Sequence, residues 1–418
     1  MKMQIKTIVL YFITFTDLVA VGLVVPLISA HVTSLGGSHF IVGLMGSFYS
    51  GLQLFSGPIV GSFSDIKGRK PVLIATLLCC SLAYLLFGSI SSIYVLLALR
   101  IIIGIFKHTQ TLAKAVVSDV VKNDEQADVY GKMAAVSGIG ISLGPMIGGH
   151  ISEDNPESGF SIACSITCLL FVLNAGVVYF ISTSPKSKKG SHPHSKHHTP
   201  NYLEVITDGW TKSIQELKEV EWHKYWDIFL LKALASFSMG IFYSNYSPLL
   251  KNIYGLSPKW IGYTISFQGV IGAICCFFIK YINATFYKND SEYSDRNLHC
   301  FFVITLTFVM LIFCNSWFLF VALLIPMAVG NAILRLVGLE IIVHKSPNNQ
   351  RGSLIGASNS VRSIAGIVAP AVAGYLGDKF GLQNVLTASL ISSLIGTIIA
   401  LVYKMKTTNK KVPLKKKQ

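Results

Sequence analysis

The sequence predicts an all-α membrane protein of twelve transmembrane helices arranged as two pseudo-symmetric six-helix halves. Three observations carry this expectation. Hydrophobic residues make up 52% of the 418 residues and charged ones only 13%, with a mean hydropathy of +0.56, a composition that would aggregate in water. Twelve mostly apolar runs, at 7–29, 40–62, 71–89, 94–118, 129–151, 160–181, 225–247, 260–282, 298–314, 317–343, 354–376 and 383–403, are each long enough to cross a bilayer. The third is an internal repeat: at one constant displacement Gly131, Pro145 and Gly149 meet Gly356, Pro370 and Gly374. At the same displacement Gly140, Gly144 and Gly148 meet Ala365, Ala369 and Ala373. The halves are residues 1–181 and 225–403, joined by a cytoplasmic linker at 182–224 and followed by a basic cytoplasmic tail at 404–418.

A net charge of +15 would suggest nucleic acid if the cations formed one face of a soluble domain. They follow topology instead. With the amino terminus inside, most of the 35 Lys and Arg fall in cytoplasmic segments, and only Lys251, Lys259 and Lys379 in outside loops. Both termini are therefore placed in the cytoplasm, and no nucleic-acid partner is expected. The run at 7–29 follows Lys2 and Lys6 without a small-residue cleavage site, so it reads as a retained first span. The eight cysteines lie within or beside apolar segments, which predicts core packing rather than disulfides or a metal site. No nucleophile with a base, metal cluster or phosphate-cradling loop stands at interpretable spacing, so neither an enzyme nor a cofactor is expected.

The first span carries Asp17 deep in its apolar run, followed by Gly22 and Pro26. A carboxylate near mid-membrane costs about 2.5 to 3.5 kcal/mol on insertion scales, so it faces a cavity or a partner. Two readings stand: a structural acid bonded to a neighbouring helix, or a proton or cation site whose protonation answers to conformation. Between the second and third spans, Gly61 to Pro71 packs Asp65, Lys67, Arg69 and Lys70 around Gly68, as a tight cytoplasmic turn requires.

In the fourth span Arg100, Gly104, Lys107, Thr111, Lys114 and Ser118 repeat at steps of four and three, which predicts one polar stripe on a continuous helix. The three cations would then stay within about 40° of each other along about 21 Å of helix. Such a stripe must line water, an anion or acidic partners, except where Arg100 and Lys114 snorkel to the two interfaces. In the fifth span Gly140, Gly144 and Gly148 make a flat face for close helix approach. With Pro145, Gly131 and Gly149 they suit a helix that bends and rocks on a neighbour.

The linker holds Lys186, Lys188, Lys189 and the histidines His192, His194, His197 and His198, which read as a solvated segment rather than a metal site. Leu203, Ile206, Trp210, Ile214 and Leu217 recur at helical spacing, so 201–224 could form an amphipathic helix on the inner leaflet. In the second half Lys232 lies in the seventh span, and Asn331 and Arg335 stand one turn apart in the tenth. Glu340 sits nearer the inner end, where a basic neighbour suits it. The opening loop finds no counterpart beyond some charge near 283–297. The lysine-rich tail suits anionic lipid.

These residues resemble the major facilitator superfamily over nearly the whole chain. Residues 61–71 are similar to its loop motif, with Ile66 where a basic residue is common. Leu96-x-x-x-Arg100-x-x-x-Gly104 is similar to its fourth-span motif, and Gly131, Gly140, Gly144-Pro145 and Gly148-Gly149 to the antiporter motif of its fifth. Asp17 and Pro26 stand as in tetracycline-efflux-like members, and Gly104 to Thr109 is most like an animal orphan branch. The resemblance implies one substrate path between the halves and alternating access. It implies a cytoplasmic gate of Gly61, Asp65, Gly68, Arg69 and Lys70, with Asp119 as partner of Arg69 and the helix start near Ser353 as target of Asp65. It further implies proton coupling at Arg100 and antiport through the fifth span.

The expectation is a monomeric secondary transporter of a small organic solute, with Asp17 and Arg100 as candidates for proton coupling. Arg100, Lys107, Lys114, Lys232 and Arg335 outnumber the deep acids, which favours an anionic or zwitterionic solute. Thr111 and Asn331 join them on the expected pathway. Two alternatives stand beside this: a proton-coupled exporter of cationic drugs, and a membrane receptor or accessory subunit that keeps the fold without transporting.

Overall fold

The computed structural model describes residues 2–122, 125–180, 207, 210–211, 214–215, 217–288, 290, 292–345 and 351–415. The linker lysines Lys186, Lys188 and Lys189, the four linker histidines, Leu203, Ile206, and Lys416 and Lys417 lie outside the described residues. Among the described residues all regular structure is helical. The helices are α1 (Lys2–Ser34), α2 (His39–Lys67), α3 (Arg69–Ser89), α4 (Ile93–Phe106), α5 (Thr109–Val120), α6 (Gln126–Asp154), α7 (Gly159–Phe180), α8 (Trp222–Ser244), α9 (Tyr246–Tyr254), α10 (Pro258–Phe277), α11 (Ile279–Phe286), α12 (Ser294–Ile312), α13 (Trp317–Lys345), α14 (Arg351–Phe380) and α15 (Leu382–Lys415). Twelve stretches are long and apolar enough to cross a membrane, with α4 and α5 together forming one of them, Ile93–Val120. The chain is thus an integral, multi-pass membrane protein.

Two expectations about local structure change. The turn at 61–71 shrinks to a single residue, because α2 runs on to Lys67 and α3 starts at Arg69. Nothing between Phe63 and Lys67 breaks a helix, and Pro71 occupies the first turn of α3, where its missing N–H costs nothing. Only Gly68, at φ 95°, adopts a backbone that a side chain would strain. The fourth span breaks after Phe106, so its polar stripe is not continuous.

Packing divides the chain into two units, residues 1–27 with 52–215, and residues 28–51 with 216–418. In the first unit the glycine face of α6 lies on α1. A Cβ added to Gly144 would stand 2.5 Å from the Cα of Gly22, one on Gly140 would stand 2.5 Å from the Phe15 carbonyl oxygen, and one on Gly148 would strike the Leu23 carbonyl. Pro145 and Gly149 are buried in the same helix. Elsewhere in this unit α3 packs along α7, with Gly88 pressed against Cys164.

The second unit repeats both pairings. There α8 packs along α14, where a Cβ on Gly240 would stand 2.8 Å from that of Ala369, and α12 packs along α15, where Gly396 accepts the Phe301 ring. The displacement that pairs Gly144 with Ala369 therefore pairs two helix seams. Pro370 and Gly374 serve a different contact: they lie against Gly43, Gly46, His39 and Phe40 at the start of α2. Asp378 caps that start, accepting from the N–H of His39 at 2.8 Å and of Phe40 at 2.9 Å. Gly131 and Gly356 pack on nothing, since a Cβ on either meets no atom within 4 Å.

This contrast predicts opposite outcomes for two substitutions in α6. Gly144→Val should cost at least about 1 to 3 kcal/mol, because backbone rather than a flexible side chain must yield, whereas Gly131→Ala should be neutral or stabilising. Thermal unfolding of the two variants in detergent checks this. A normal midpoint for Gly144→Val would show that α1 and α6 do not pack as described.

Candidate functional site

The break in the fourth span creates the site of the first unit. Lys107 leaves the helix at ψ 73°, after its N–H closes the last turn on the Ile103 carbonyl at 2.8 Å. Its carbonyl, released from the helix, accepts from the Gln53 side chain at 2.7 Å. His108 caps the next helix and meets the Ser56 hydroxyl at 2.8 Å through Nε2. Inside a membrane such a break persists only where side chains replace the lost backbone bonds, and Gln53 does so here. Neither glycine nor proline marks the position.

The break turns Lys107 towards α1, where its Nζ meets Oδ1 of Asp17 at 2.6 Å, with Lys107 4% and Asp17 0% exposed. Oδ2 of Asp17 accepts from the Gln110 amide at 3.0 Å, and the same amide also donates to the Thr14 carbonyl at 3.1 Å. The Phe171 ring lies 5.3 Å from the ammonium. Behind the acid, Thr16 and Asn174 bond at 2.6 Å, and Thr167 donates to the Ala20 carbonyl at 2.9 Å, tying α1 to α7. Gln110, Gln53 and Asn174 were not on the expected pathway. Their only sequence signal is that they are amides inside apolar runs.

The remaining stripe residues part company. Arg100 is buried with its guanidinium 5.1 Å from the Phe87 ring centroid, whereas Thr111 and Lys114 are exposed on α5. The expected column of three cations is therefore corrected to one paired lysine, one arginine on an aromatic ring and one exposed lysine. The physical cause is the changed helical register after Phe106.

At the α2–α3 end of the same unit Arg69 bridges two acids, Asp65 at 3.0 Å and Asp119 at 2.9 Å. Lys70 lies 5.5 Å from the Tyr179 ring centroid, Gly61 accepts from the Ser64 hydroxyl, and Ser353 stands in the first turn of α14. The second unit holds a counterpart that the sequence reading missed. Arg296, in the first turn of α12, meets Asp290 at 3.2 Å and Glu340 at 3.0 Å, and its guanidinium sits 4.3 Å from the Tyr293 ring. Each arginine opens the third long helix of its unit and holds an acid from just before it and one from the fourth span. Tyr293, at φ 61°, stands before its helix with a positive φ, as Gly68 does at φ 95° in the first unit. The match escapes a motif search because Asp290 and Arg296 are six residues apart where Asp65 and Arg69 are four, and because the glycine is gone.

Deeper in the second unit, Lys232 of α8 lies within electrostatic reach of Arg335 of α13 and Arg362 of α14. Arg335 touches the Cys276 sulfur at 3.5 Å. Asn331 bonds the Tyr243 hydroxyl, which also accepts from Gln268 at 3.1 Å. Arg362 was absent from the expected pathway, although an arginine at the middle of a span is a visible signal.

The family model described as Major Facilitator Superfamily matches residues 10–289 and 296–418. Among curated relatives, the chain is 26% identical over 373 residues to the class B tetracycline resistance protein of Escherichia coli, covering 88% of this chain and 87% of the relative. It is 23% identical over 404 residues to the quinolone resistance protein NorA of Staphylococcus aureus, covering 96% and 97%. Among solved structures, a bacterial homologue of the human lysosomal transporter Spinster matches at 14% identity and a TM-score of 0.76, covering 96% of each chain. The human organic anion transporter MFSD10 (TETRAN) matches at 18% identity and a TM-score of 0.64, covering 94% of this chain and 98% of that one.

The buried pair yields a test of its own. Removing the cation leaves a buried carboxylate held by Gln110 alone, so Lys107→Met should cost about 3 to 5 kcal/mol. Adding Asp17→Asn should return most of it. Thermal unfolding of the single and double variants measures this, and equal midpoints for the two would rule out the coupling.

Proposed function

The chain belongs to the Major Facilitator Superfamily, a family of transporters rather than enzymes, and on that premise we propose that it is a secondary transporter of a small organic anion or zwitterion working by alternating access. The observation that carries the solute class is an imbalance of deep charge. Asp17 is neutralised by Lys107, whereas Lys232, Arg335 and Arg362 stand in the spans of the second unit with no ion pair among the described residues. Charges at that depth are stable only beside water, a partner or a ligand.

Protons are the proposed coupling ion, exchanged at Asp17, with Arg100 on α4 as the second candidate for coupling. The Lys107 contact supports this role, because protonating the acid would release the lysine and loosen α1 from the break in the fourth span. Arg69 with Asp65 and Asp119, together with Gly61, Gly68, Lys70 and Ser353, forms the proposed cytoplasmic gate, and the Gly140, Gly144 and Gly148 seam is the surface on which helices rock. Both termini are proposed to be cytoplasmic, the protein monomeric, and the basic tail in contact with anionic lipid. Placement in an animal orphan branch rests on the run Gly104 to Thr109 alone.

The two resistance proteins support a second reading, a proton-coupled drug exporter. Lys107→Ala does not separate the readings, since Lys107 is committed to Asp17. Flux does. In liposomes with an inward proton gradient, the purified protein should move organic anions and ignore tetracycline and quinolones. Asp65→Asn and Gly68→Val should lower that flux about tenfold or more, by analogy with other losses of a charge pair or a strained turn. Drug flux without anion flux favours the exporter. Ligand binding without any flux, with both variants tolerated, favours a receptor.

A further inference from the structure

The three uncompensated cations of the second unit occupy one level of the molecule. By alternation of the spans, the start of α8 at Trp222, the end of α13 at Lys345 and the start of α14 at Arg351 face the same side. Lys232, Arg335 and Arg362 each lie roughly ten residues, or about 15 Å, from that end of their helices. This is half the hydrocarbon thickness, deeper than a side chain snorkels from the interface. The helices that carry them pack against one another.

Several acids of this unit are committed elsewhere. Asp290 and Glu340 hold Arg296, Asp295 holds Lys404 at 2.9 Å, and Asp378 caps α2 through two N–H groups. Among the described residues no ion pair reaches Lys232, Arg335 or Arg362. Arg335 and Arg362 are also exposed, and Lys232 is half-buried. An exposed guanidinium at mid-bilayer faces an aqueous space, because hydrocarbon would exclude it.

We propose that Lys232, Arg335 and Arg362 form a binding site for a small organic dianion, a dicarboxylate or a phosphate monoester. This rests on the transport reading above and narrows its solute class. Two guanidinium groups carry permanent charge and present planar forks that each match a carboxylate edge or a pair of phosphate oxygens. Two negative charges neutralise that permanent pair, and the lysine adds a third, adjustable contact. A monoanion leaves the two arginines half compensated, and a zwitterion brings no net charge at all. One turn from Arg335, Asn331 joins Tyr243 and Gln268 in a neutral hydrogen-bonded group, suited to orienting the uncharged body of the solute.

Four probes of similar length separate the possibilities: butyrate with one negative charge, succinate with two, 4-aminobutyrate with none net, and ethyl phosphate with two at about pH 8. Binding to the full-length protein in detergent is followed by thermal unfolding and calorimetry. Succinate or ethyl phosphate should bind about tenfold or more tightly than butyrate, and 4-aminobutyrate should not shift the midpoint. Whichever dianion wins identifies the carboxylate or the phosphate source. Arg335→Gln and Arg362→Gln should each erase the preference while leaving the unliganded midpoint unchanged, and Arg362→Lys should restore part of it.

Butyrate binding as tightly as both dianions, binding of neither dianion, or a preference that survives both glutamine variants would overturn the site. Dianion-selective binding without flux in liposomes counts against the transport reading and leaves the site standing. Anion flux without a preference for dianions does the reverse.

Discussion

The ion pair between Asp17 and Lys107 is the contact on which the first unit turns. A carboxylate with no exposed surface needs a cation and donors at fixed positions, and it has Lys107 at 2.6 Å and Gln110 at 3.0 Å. Supplying them requires the fourth span to leave helical geometry at Lys107, which in turn requires the Gln53 side chain to donate to the displaced carbonyl. Acid, lysine and helix break are therefore one structural unit. Loss of charge on Asp17 acts on the helix as well as on the pair, which is the property a coupling site needs.

Close helix approach does comparable work elsewhere. Between α1 and α6 glycines bring backbones together without side chains between them, and between α8 and α14 Gly240 meets the Ala369 methyl. In lipid, where apolar side chains gain little by leaving hydrocarbon, such close backbone contact is a main source of helix association. The same economy appears at the starts of α3 and α12, where one arginine in each unit gathers two acids. The two clusters share topology while differing in spacing and turn residue. Geometry is retained between the units where the motif is not.

The units differ in what they do with deep charge. The first spends its lysine internally on Asp17 and lays its arginine on an aromatic ring. The second leaves Lys232, Arg335 and Arg362 uncompensated among the described residues, next to neutral hydrogen-bonding groups. A stripe read from spacing alone placed the functional cations mainly in the fourth span. Their pairing shifts the weight towards the second unit.

Sequence by itself determined the twelve spans, their all-helical class and the twofold repeat, while the Arg69 to Asp119 pairing came from the family resemblance. The first three follow from hydrophobic length and small-residue spacing, each of which is local or periodic. The tertiary structure decided what such signals cannot contain. The break at Lys107 has no glycine or proline and exists because Gln53 and Asp17 lie nearby. The Arg296 cluster is invisible as a motif, since Tyr293 replaces the glycine and the acid lies two residues further off. Gly131 and Gly356, matched by the repeat, pack on nothing, whereas Pro370 and Gly374 meet the start of α2. Gln53 and Asp17 for Lys107, Glu340 for Arg296 and the start of α2 for Pro370 are distant in sequence, and only packing brings them within reach.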